Sequence, residues 1–344
     1  MKDYEEMASE VLQQRDDYEA KRTQRRKTLH RRLTTTLTAL AIVLTVGAVG
    51  VGATAIISGT DWFAEYYGSK TEGNLSDNQA QYLETNVVNV QQTVTAGGYT
   101  MTLGGVCGSR NRLDVYLEVV APEGTSLEGV NLGLGGKMLT IWKDGQVIPL
   151  TSTANTGYTD EDPKDNKRTY LIMAHASEVH GMETVFSEGG VFSLTVNGLH
   201  YGALEKTVST ESWSFDFELP EQGTGGIKVI QEPVECTTFN WVEKQFTGTA
   251  QVESFTLYEM SGKGTYRLVD IEGKYPDVLV TVVMKDGRTV TQRGGEISEP
   301  KMGIYEFEVD LFAPIVLSEV DYVIFGGYED ESGNWVEGTR VDIP

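Results

Sequence analysis

The sequence predicts a mainly β protein preceded by a short helix and one membrane-spanning helix. Three observations lead to this prediction: an uncharged run of 28 residues at 33–60, many short strand-like segments after residue 86, and turn residues between those segments. Roughly 20 apolar residues cross a bilayer core, and alternation of apolar with polar residues is typical of half-buried strands. We therefore expect a small N-terminal part and a large β part.

The N-terminal 32 residues are predicted to form a cytoplasmic helical head. The stretch from about Asp3 to Arg26 contains neither Gly nor Pro and is rich in good helix formers. Four of its residues share one helical face, because they recur at spacings of three, four and seven: they are Tyr4, Met7, Val11 and Tyr18. This face either binds a partner protein or stays solvated, and both readings remain open.

Residues 33–59 are predicted to form a transmembrane helix. Residues 21–32, just before the run, contain seven basic side chains and no acidic one, and such a bias places that side in the cytoplasm. The seven are Lys21, Arg22, Arg25, Arg26, Lys27, Arg31 and Arg32. Four aromatic residues follow the run and are interpreted as an interfacial belt: Trp62, Phe63, Tyr66 and Tyr67. Ala53-Thr54-Ala55 fits a signal-peptide cleavage site, but the run is longer than an ordinary signal sequence, which favours a retained anchor.

The residues outside the membrane are predicted to form two tandem immunoglobulin-like β-sandwiches. A connector at 60–86 precedes the first sandwich at 87–220, and the Gly-rich linker 221–226 leads to the second at 227–344. Short strands at regular spacing with little helix favour sandwiches. Asp144-Gly145 and Asp286-Gly287 each follow a lysine between two strand-like runs. Both pairs predict hairpins with two-residue type I′ turns, which require positive φ angles.

The charge of the chain argues against nucleic acid as a partner. The net charge is −22, and the residues after 33 carry 43 acidic and 19 basic side chains. So large an acidic excess repels the phosphate backbone. The basic residues beside the predicted span are instead suited to anionic lipid at the inner membrane surface.

The sequence shows no motif for catalysis, a cofactor or a metal ion. His175 and His180 are five residues apart, which does not match the HExxH spacing of zinc enzymes. The acidic stretches 159–166 and 328–335 lack the glycine that an EF-hand needs at its sixth position, so solvated turns explain them better. Cys107 and Cys236 lie far apart and are interpreted as buried thiols, although one long-range disulfide is an alternative. The chain is therefore predicted not to be an enzyme.

Residues 60–130 resemble a family of membrane-anchored proteins of Gram-positive bacteria with a domain of unknown function just outside one transmembrane helix. The matching pieces are Leu75-Ser76-Asp77-Asn78-Gln79, Tyr82-Leu83-Glu84, Gln92-Thr93-Val94-Thr95, Gly98-Tyr99-Thr100 and Ala121-Pro122-Glu123-Gly124. Members of that family look like anti-sigma factors. The resemblance implies that the cytoplasmic segment holds an extracytoplasmic-function sigma factor and that the outer domains sense the envelope.

Two functions are compatible with this organisation. The first is a single-pass membrane regulator in which the cytoplasmic helix binds a sigma factor and the outer domains respond to an unknown ligand or stress. The second is a surface binding or adhesion module whose N-terminus is only an anchor. The two differ in whether Tyr4, Met7, Val11 and Tyr18 contact a partner.

Overall fold

The two helices that precede the strands begin where the sequence supplies a capping residue. The computed structural model describes residues 58–70, 75–132, 139–157, 166–177, 180–201, 206–223, 225–240, 245–271, 276–301, 303–326, 328–329, 335–336 and 338–343. Helix α1 (Gly59–Gly68) follows Ser58, whose side chain accepts a hydrogen bond from the Asp61 amide. Helix α2 (Asp77–Asn86) follows Ser76, which forms a capping box with Gln79. Such a box satisfies two amides that would otherwise have no partner.

The first β-region, strands β1 to β10, consists of two antiparallel sheets around one core. Its strands are β1 (Val87–Ala96), β2 (Tyr99–Ser109), β3 (Arg112–Val120), β4 (Val130–Leu132), β5 (Leu139–Lys143), β6 (Gln146–Val147), β7 (Leu150–Gly157), β8 (Lys167–Ala176), β9 (Gly190–Tyr201) and β10 (Lys206–Leu219). One sheet has the order β1-β2-β3-β8-β7, and the other has β10-β9-β5-β6 with β4 beside β9. Leu117, Phe192 and Trp213 belong to one apolar cluster. The arrangement is sandwich-like, since the two sheets bury their inner faces together.

The second β-region, strands β11 to β22, is one large antiparallel sheet and a short hairpin. Its strands are β11 (Ile227–Lys228), β12 (Val234–Asn240), β13 (Gln245–Leu257), β14 (Ser261–Ile271), β15 (Pro276–Asp277), β16 (Val280–Met284), β17 (Thr289–Lys301), β18 (Ile304–Leu311), β19 (Val320–Phe325), β20 (Tyr328–Glu329), β21 (Trp335–Val336) and β22 (Thr339–Asp342). A single 3₁₀ turn (Leu317–Glu319) precedes β19. The sheet order is β15-β12-β13-β14-β18-β17-β16-β19-β22, β11 pairs with β13, and β20 pairs with β21.

The large sheet folds over itself. Phe255 on β13 and Phe325 on β19 are separated by several strands in the sheet order, yet their ring centroids are 5.2 Å apart. Strand β17 pairs with β16 at its start and with β18 along the rest. The sheet therefore turns at β17 and closes around a core that also includes residues of the helices and of the first β-region. The prediction of a mainly β, sandwich-like architecture is confirmed. The division into domains at 87–220 and 227–344 stays a prediction.

The two Asp-Gly hairpins differ in turn type. Asp144 and Gly145 have φ angles of 52° and 79°, so the predicted type I′ turn is confirmed there. In the described turn at Asp286-Gly287, only Gly287 has a positive φ, and its amide donates to the Met284 carbonyl at 2.8 Å. That is a turn followed by a left-handed glycine, so the prediction of type I′ is wrong at the second site. The Asp286 carboxylate accepts from the Arg288 amide, which holds the aspartate within the turn.

The N-terminal predictions lie outside the described residues. They are the helical head with its face of Tyr4, Met7, Val11 and Tyr18, the basic cluster at 21–32, and residues 33–57 of the proposed span. Within the part of the chain that the structure describes, no helix has both the length and the apolar composition of a membrane span. Ile56–Pro344 form one compact unit.

Helix α1 lies so close to β2 that a side chain would not fit between them. A Cβ atom on Gly105 would lie 2.8 Å from the Cα of Gly59 and 3.2 Å from the Val88 carbonyl oxygen. Both neighbours are backbone atoms, which do not yield as a flexible side chain does. The contact of α1 with the first β-region therefore depends on glycine at this position.

Gly105→Ala is expected to lower the thermal unfolding midpoint because it forces α1 away from β2. The cost should be about 1–3 kcal/mol, as for other overpacked sites. Gly294→Ala on β17 is the matched control, since a Cβ atom there meets nothing within 4 Å. Scanning calorimetry of both variants measures the effect, and equal midpoints would contradict the close packing of α1.

Candidate functional site

The aromatic residues of α1 are buried against the first β-region. Trp62 stacks on Tyr116 of β3 with ring centroids 4.4 Å apart and an interplanar angle of 3°. Trp62, Phe63, Tyr66 and Tyr67 are each no more than 4% exposed. The interpretation of these four residues as an interfacial belt is therefore wrong. Their rings cover the outer face of a sheet, where they remove apolar area from water without a membrane.

A charged pair lies under this aromatic layer. Arg112 and Asp114 are two residues apart on β3, so their side chains point to the same face of the strand. Arg112 Nε donates to Asp114 Oδ1, and Arg112 Nη2 donates to Asp114 Oδ2, both at 2.8 Å. The side chains are 1% and 0% exposed. This forked geometry is the strongest form of a carboxylate–guanidinium contact.

Arg112 also reaches into the second β-region. Its Nη1 donates to the carbonyl oxygens of Met260 at 3.2 Å and Leu311 at 3.3 Å. The same nitrogen is 3.5 Å from Asp310 Oδ1 on β18. Together with the Asp114 contacts and the Met173 sulfur at 3.6 Å, these acceptors provide a partner for each of the five guanidinium N–H groups. One side chain thus bonds to both β-regions at once.

Tyr67 of α1 and His175 of β8 complete the set of side chains around Arg112. The Tyr67 hydroxyl on α1 donates to Asp114 Oδ2. His175 on β8 is the cross-strand neighbour of Arg112, and its Nε2 lies 3.0 Å from Asp310 Oδ1. We call these five residues, Tyr67, Arg112, Asp114, His175 and Asp310, the Arg112 cluster. It is the point where α1, the first β-region and the second β-region meet.

Burial and charge act in opposite directions on the ionisable groups of the cluster. Burial alone would lower the pKa of Arg112, but Asp114 and Asp310 raise it well above its ordinary value. Burial would raise the pKa of Asp310, but the charge of Arg112 and the His175 hydrogen bond bring it below the ordinary value. Burial and Asp114 together raise the pKa of Tyr67, so its hydroxyl stays a donor. Arg112 and Asp310 therefore keep their charges at neutral pH, and Tyr67 keeps its proton.

Helix α2 is tied to the second β-region by polar contacts of its own. Gln79 Nε2 donates to the Pro314 carbonyl at 2.6 Å, and Arg288 donates to Gln79 Oε1 at 2.9 Å. Asn78 donates to Glu319 at the end of the 3₁₀ turn. The described residues of this segment, 60–70 and 75–86, are therefore packed into the fold.

The two cysteines are free and buried, as the sequence predicted. Cys107 on β2 is fully buried, and its sulfur lies 4.0 Å from that of Met260 in the second β-region. Burial raises the pKa of Cys107, with a further contribution from Asp114, and burial raises the pKa of Cys236 to about 12. Both groups stay protonated and behave as small apolar residues.

The cluster has the character of a joint between β-regions rather than a reaction centre. Its charged atoms are satisfied by one another and by backbone carbonyls, and its side chains are largely withdrawn from solvent. Among the described residues, no three His, Cys, Asp or Glu side chains group closely enough to hold a metal ion. Residues 159–165 and 330–334 of the two acidic stretches lie outside the described residues.

Sequence reasoning missed the Arg112 cluster because β3 alternates like a half-exposed strand. Arg112, Asp114 and Glu118 alternate with apolar residues, which favours a solvated outer face. The sequence of the neighbouring strand β8 indicated instead that this sheet is covered on both faces. Its run Tyr170 to Ala174 is apolar on both faces, which is typical of a strand that is covered on both sides.

The comparisons with known proteins give only a distant structural likeness. No protein-family model and no curated protein matches this chain. Among solved structures, it is similar to one described as "the crystal structure of the conserved domain protein from Bacillus anthracis". The sequence identity is 11%, the TM-score is 0.49, and the match covers 79% of this chain and 95% of that chain.

Arg112→Met should destabilise the protein because it leaves Asp114 buried without its cationic partner. Removing one member of a buried pair costs about 3–5 kcal/mol, whereas replacing both members by apolar residues costs much less. The double variant Arg112→Met/Asp114→Leu should therefore recover part of the loss in urea denaturation. Arg267→Met removes an ion pair whose arginine is 54% exposed and serves as the control with almost no effect. A single variant as stable as wild type would show that the pair does not matter.

Proposed function

We propose that the chain is a single-pass membrane regulator that acts like an anti-sigma factor. In this proposal the helix in residues 1–32 holds an extracytoplasmic-function sigma factor through Tyr4, Met7, Val11 and Tyr18. The predicted span at 33–59 crosses the membrane, and two immunoglobulin-like sandwiches at 87–220 and 227–344 sense a ligand or stress outside. The uneven charge around the uncharged run and the family resemblance supply the topology and the partner class.

The observation that carries the proposal is the position of α1. This helix starts at Gly59, where the predicted span ends, and its aromatic face is buried against β3 and beside the Arg112 cluster. A change in how the two β-regions meet would have to move Tyr67 and Trp62, because both are packed at the joint. The chain next to the predicted span would move with them. A conformational change in the outer part would therefore be passed along the chain to the predicted span. An N-terminus that serves only as an anchor would not need this connection.

Capture of a sigma factor by the full-length chain tests the proposal. Replacing Tyr4, Met7, Val11 and Tyr18 with Ser should reduce capture of an extracytoplasmic-function sigma factor from the same genome by about tenfold or more, since apolar anchors dominate such interfaces. Transcription from promoters of that sigma factor should rise in the same cells. Co-purification from detergent-solubilised membranes and a promoter fusion are the two measurements.

A matched control uses the opposite face of the predicted helix. Gln13, Asp16 and Ala20 lie there at 100° per residue, and their replacement with Ser should leave capture and transcription unchanged. Equal capture by wild type and the four-residue variant would refute the role of the apolar face. If transcription is also unchanged, and deletion of 87–344 abolishes attachment of cells to a surface, the protein is an adhesion module with an N-terminal anchor.

A further inference from the structure

The joint between the two β-regions contains a histidine that bonds across it. His175 Nε2 on β8 lies 3.0 Å from Asp310 Oδ1 on β18. The histidine side chain is 10% exposed and the aspartate 13% exposed. Of the four histidines in the sequence, His30 lies outside the described residues, His180 is exposed, and His200 belongs to β9 of the first β-region. Only His175 has a described contact with an acidic side chain of the other β-region.

The charges that face His175 come from both sides of the joint. Arg112 is its cross-strand neighbour on β3 and opposes a positive charge on the imidazole. Asp310 and Glu308, both on β18, favour that charge. Arg112 and Arg293 act on Asp310 in turn, and Asp114 balances Arg112. With His175 protonated, the two cations Arg112 and His175 face the two carboxylates Asp114 and Asp310.

We propose that the contact between His175 and Asp310 is a proton-controlled latch, which tightens the joint between the two β-regions when the imidazole is charged and loosens it when the imidazole is neutral. Loss of the proton removes the ion pair between the imidazolium and the Asp310 carboxylate, and leaves at most a hydrogen bond from a neutral ring. It also leaves the buried group with one negative charge in excess. This inference goes beyond the proposed function, because it concerns the joint alone and does not depend on any cytoplasmic partner.

The pKa shifts of His175 and Asp310 give the direction of the pH effect on the joint. Burial would lower the pKa of His175, but the hydrogen bond and the charge of Asp310 outweigh it, so the pKa is raised above its ordinary value of 6.5. A raised pKa contributes stability that is fully present below 6.5 and is lost as the pH rises through the folded-state value. The lowered pKa of Asp310 contributes stability that is lost only in strong acid. The latch is therefore closed in mild acid and opens toward alkaline pH.

His175→Gln tests the latch, because glutamine keeps a donor near the position of Nε2 but never becomes charged. In wild-type full-length protein, hydrogen exchange at β3 and β18 should speed up by about threefold or more between pH of about 5.5 and about 9, after correction for intrinsic rates. The variant should lose that extra pH dependence. The thermal unfolding midpoint of the variant should lie below that of wild type by the most in acid and by the least in alkali. His180→Gln, at an exposed position, should behave as wild type.

Two results would overturn the latch. One is an identical pH dependence of exchange at β3 and β18 in wild type and His175→Gln. The other needs no variant: an NMR titration of ring-labelled histidines in wild type in which the His175 imidazole loses its proton at or below pH 6.5. Peptides of β9, which pair only within the first β-region, provide the internal control for exchange. Neither measurement involves a sigma factor, so the result is separate from that of the capture experiment.

Discussion

The Arg112 guanidinium determines how α1 and the two β-regions fit together, because it is a buried charge at the point where all three meet. Its donors are divided between Asp114 of its own strand and the carbonyl oxygens of Met260 and Leu311. Desolvating a guanidinium costs several kcal/mol unless every donor is matched. The arrangement of the two β-regions satisfies this charge, and a displacement that moved Met260 and Leu311 away from Arg112 would leave part of it without a partner.

The same constraint explains why the outer face of β3 is polar yet buried. Tyr67 supplies a hydroxyl to Asp114, and Trp62 lies flat on Tyr116, so α1 covers the face with groups that match it. Close approach is allowed by Gly104 and Gly105, where a Cβ atom would meet the Tyr116 ring at 2.4 Å or the Gly59 backbone at 2.8 Å. The aromatic residues of α1, the two glycines and the Arg112–Asp114 pair therefore depend on one another for their packing.

Local patterns in the sequence predicted the strands and the turn at Asp144-Gly145, because each depends on residues next to one another. The turn at Gly287 and the aromatic residues of α1 were misassigned. Trp62 and Tyr66 beside an uncharged run suit a membrane surface as well as a core, and only tertiary contacts separate the two. The partners of Arg112 in the second β-region lie about 150–200 positions away along the chain. No periodicity in β3 could have identified Met260 or Asp310.

Calorimetric unfolding of the full-length chain tests most directly whether the Arg112 cluster couples the two β-regions. The coupling predicts one transition for residues 58–344 in wild type, since neither β-region can open without exposing the buried charge. In Arg112→Met, the transition should separate into two, or broaden so that the calorimetric enthalpy exceeds the van't Hoff enthalpy. Two well-separated transitions in wild type, or one unchanged sharp transition in the variant, would contradict the account.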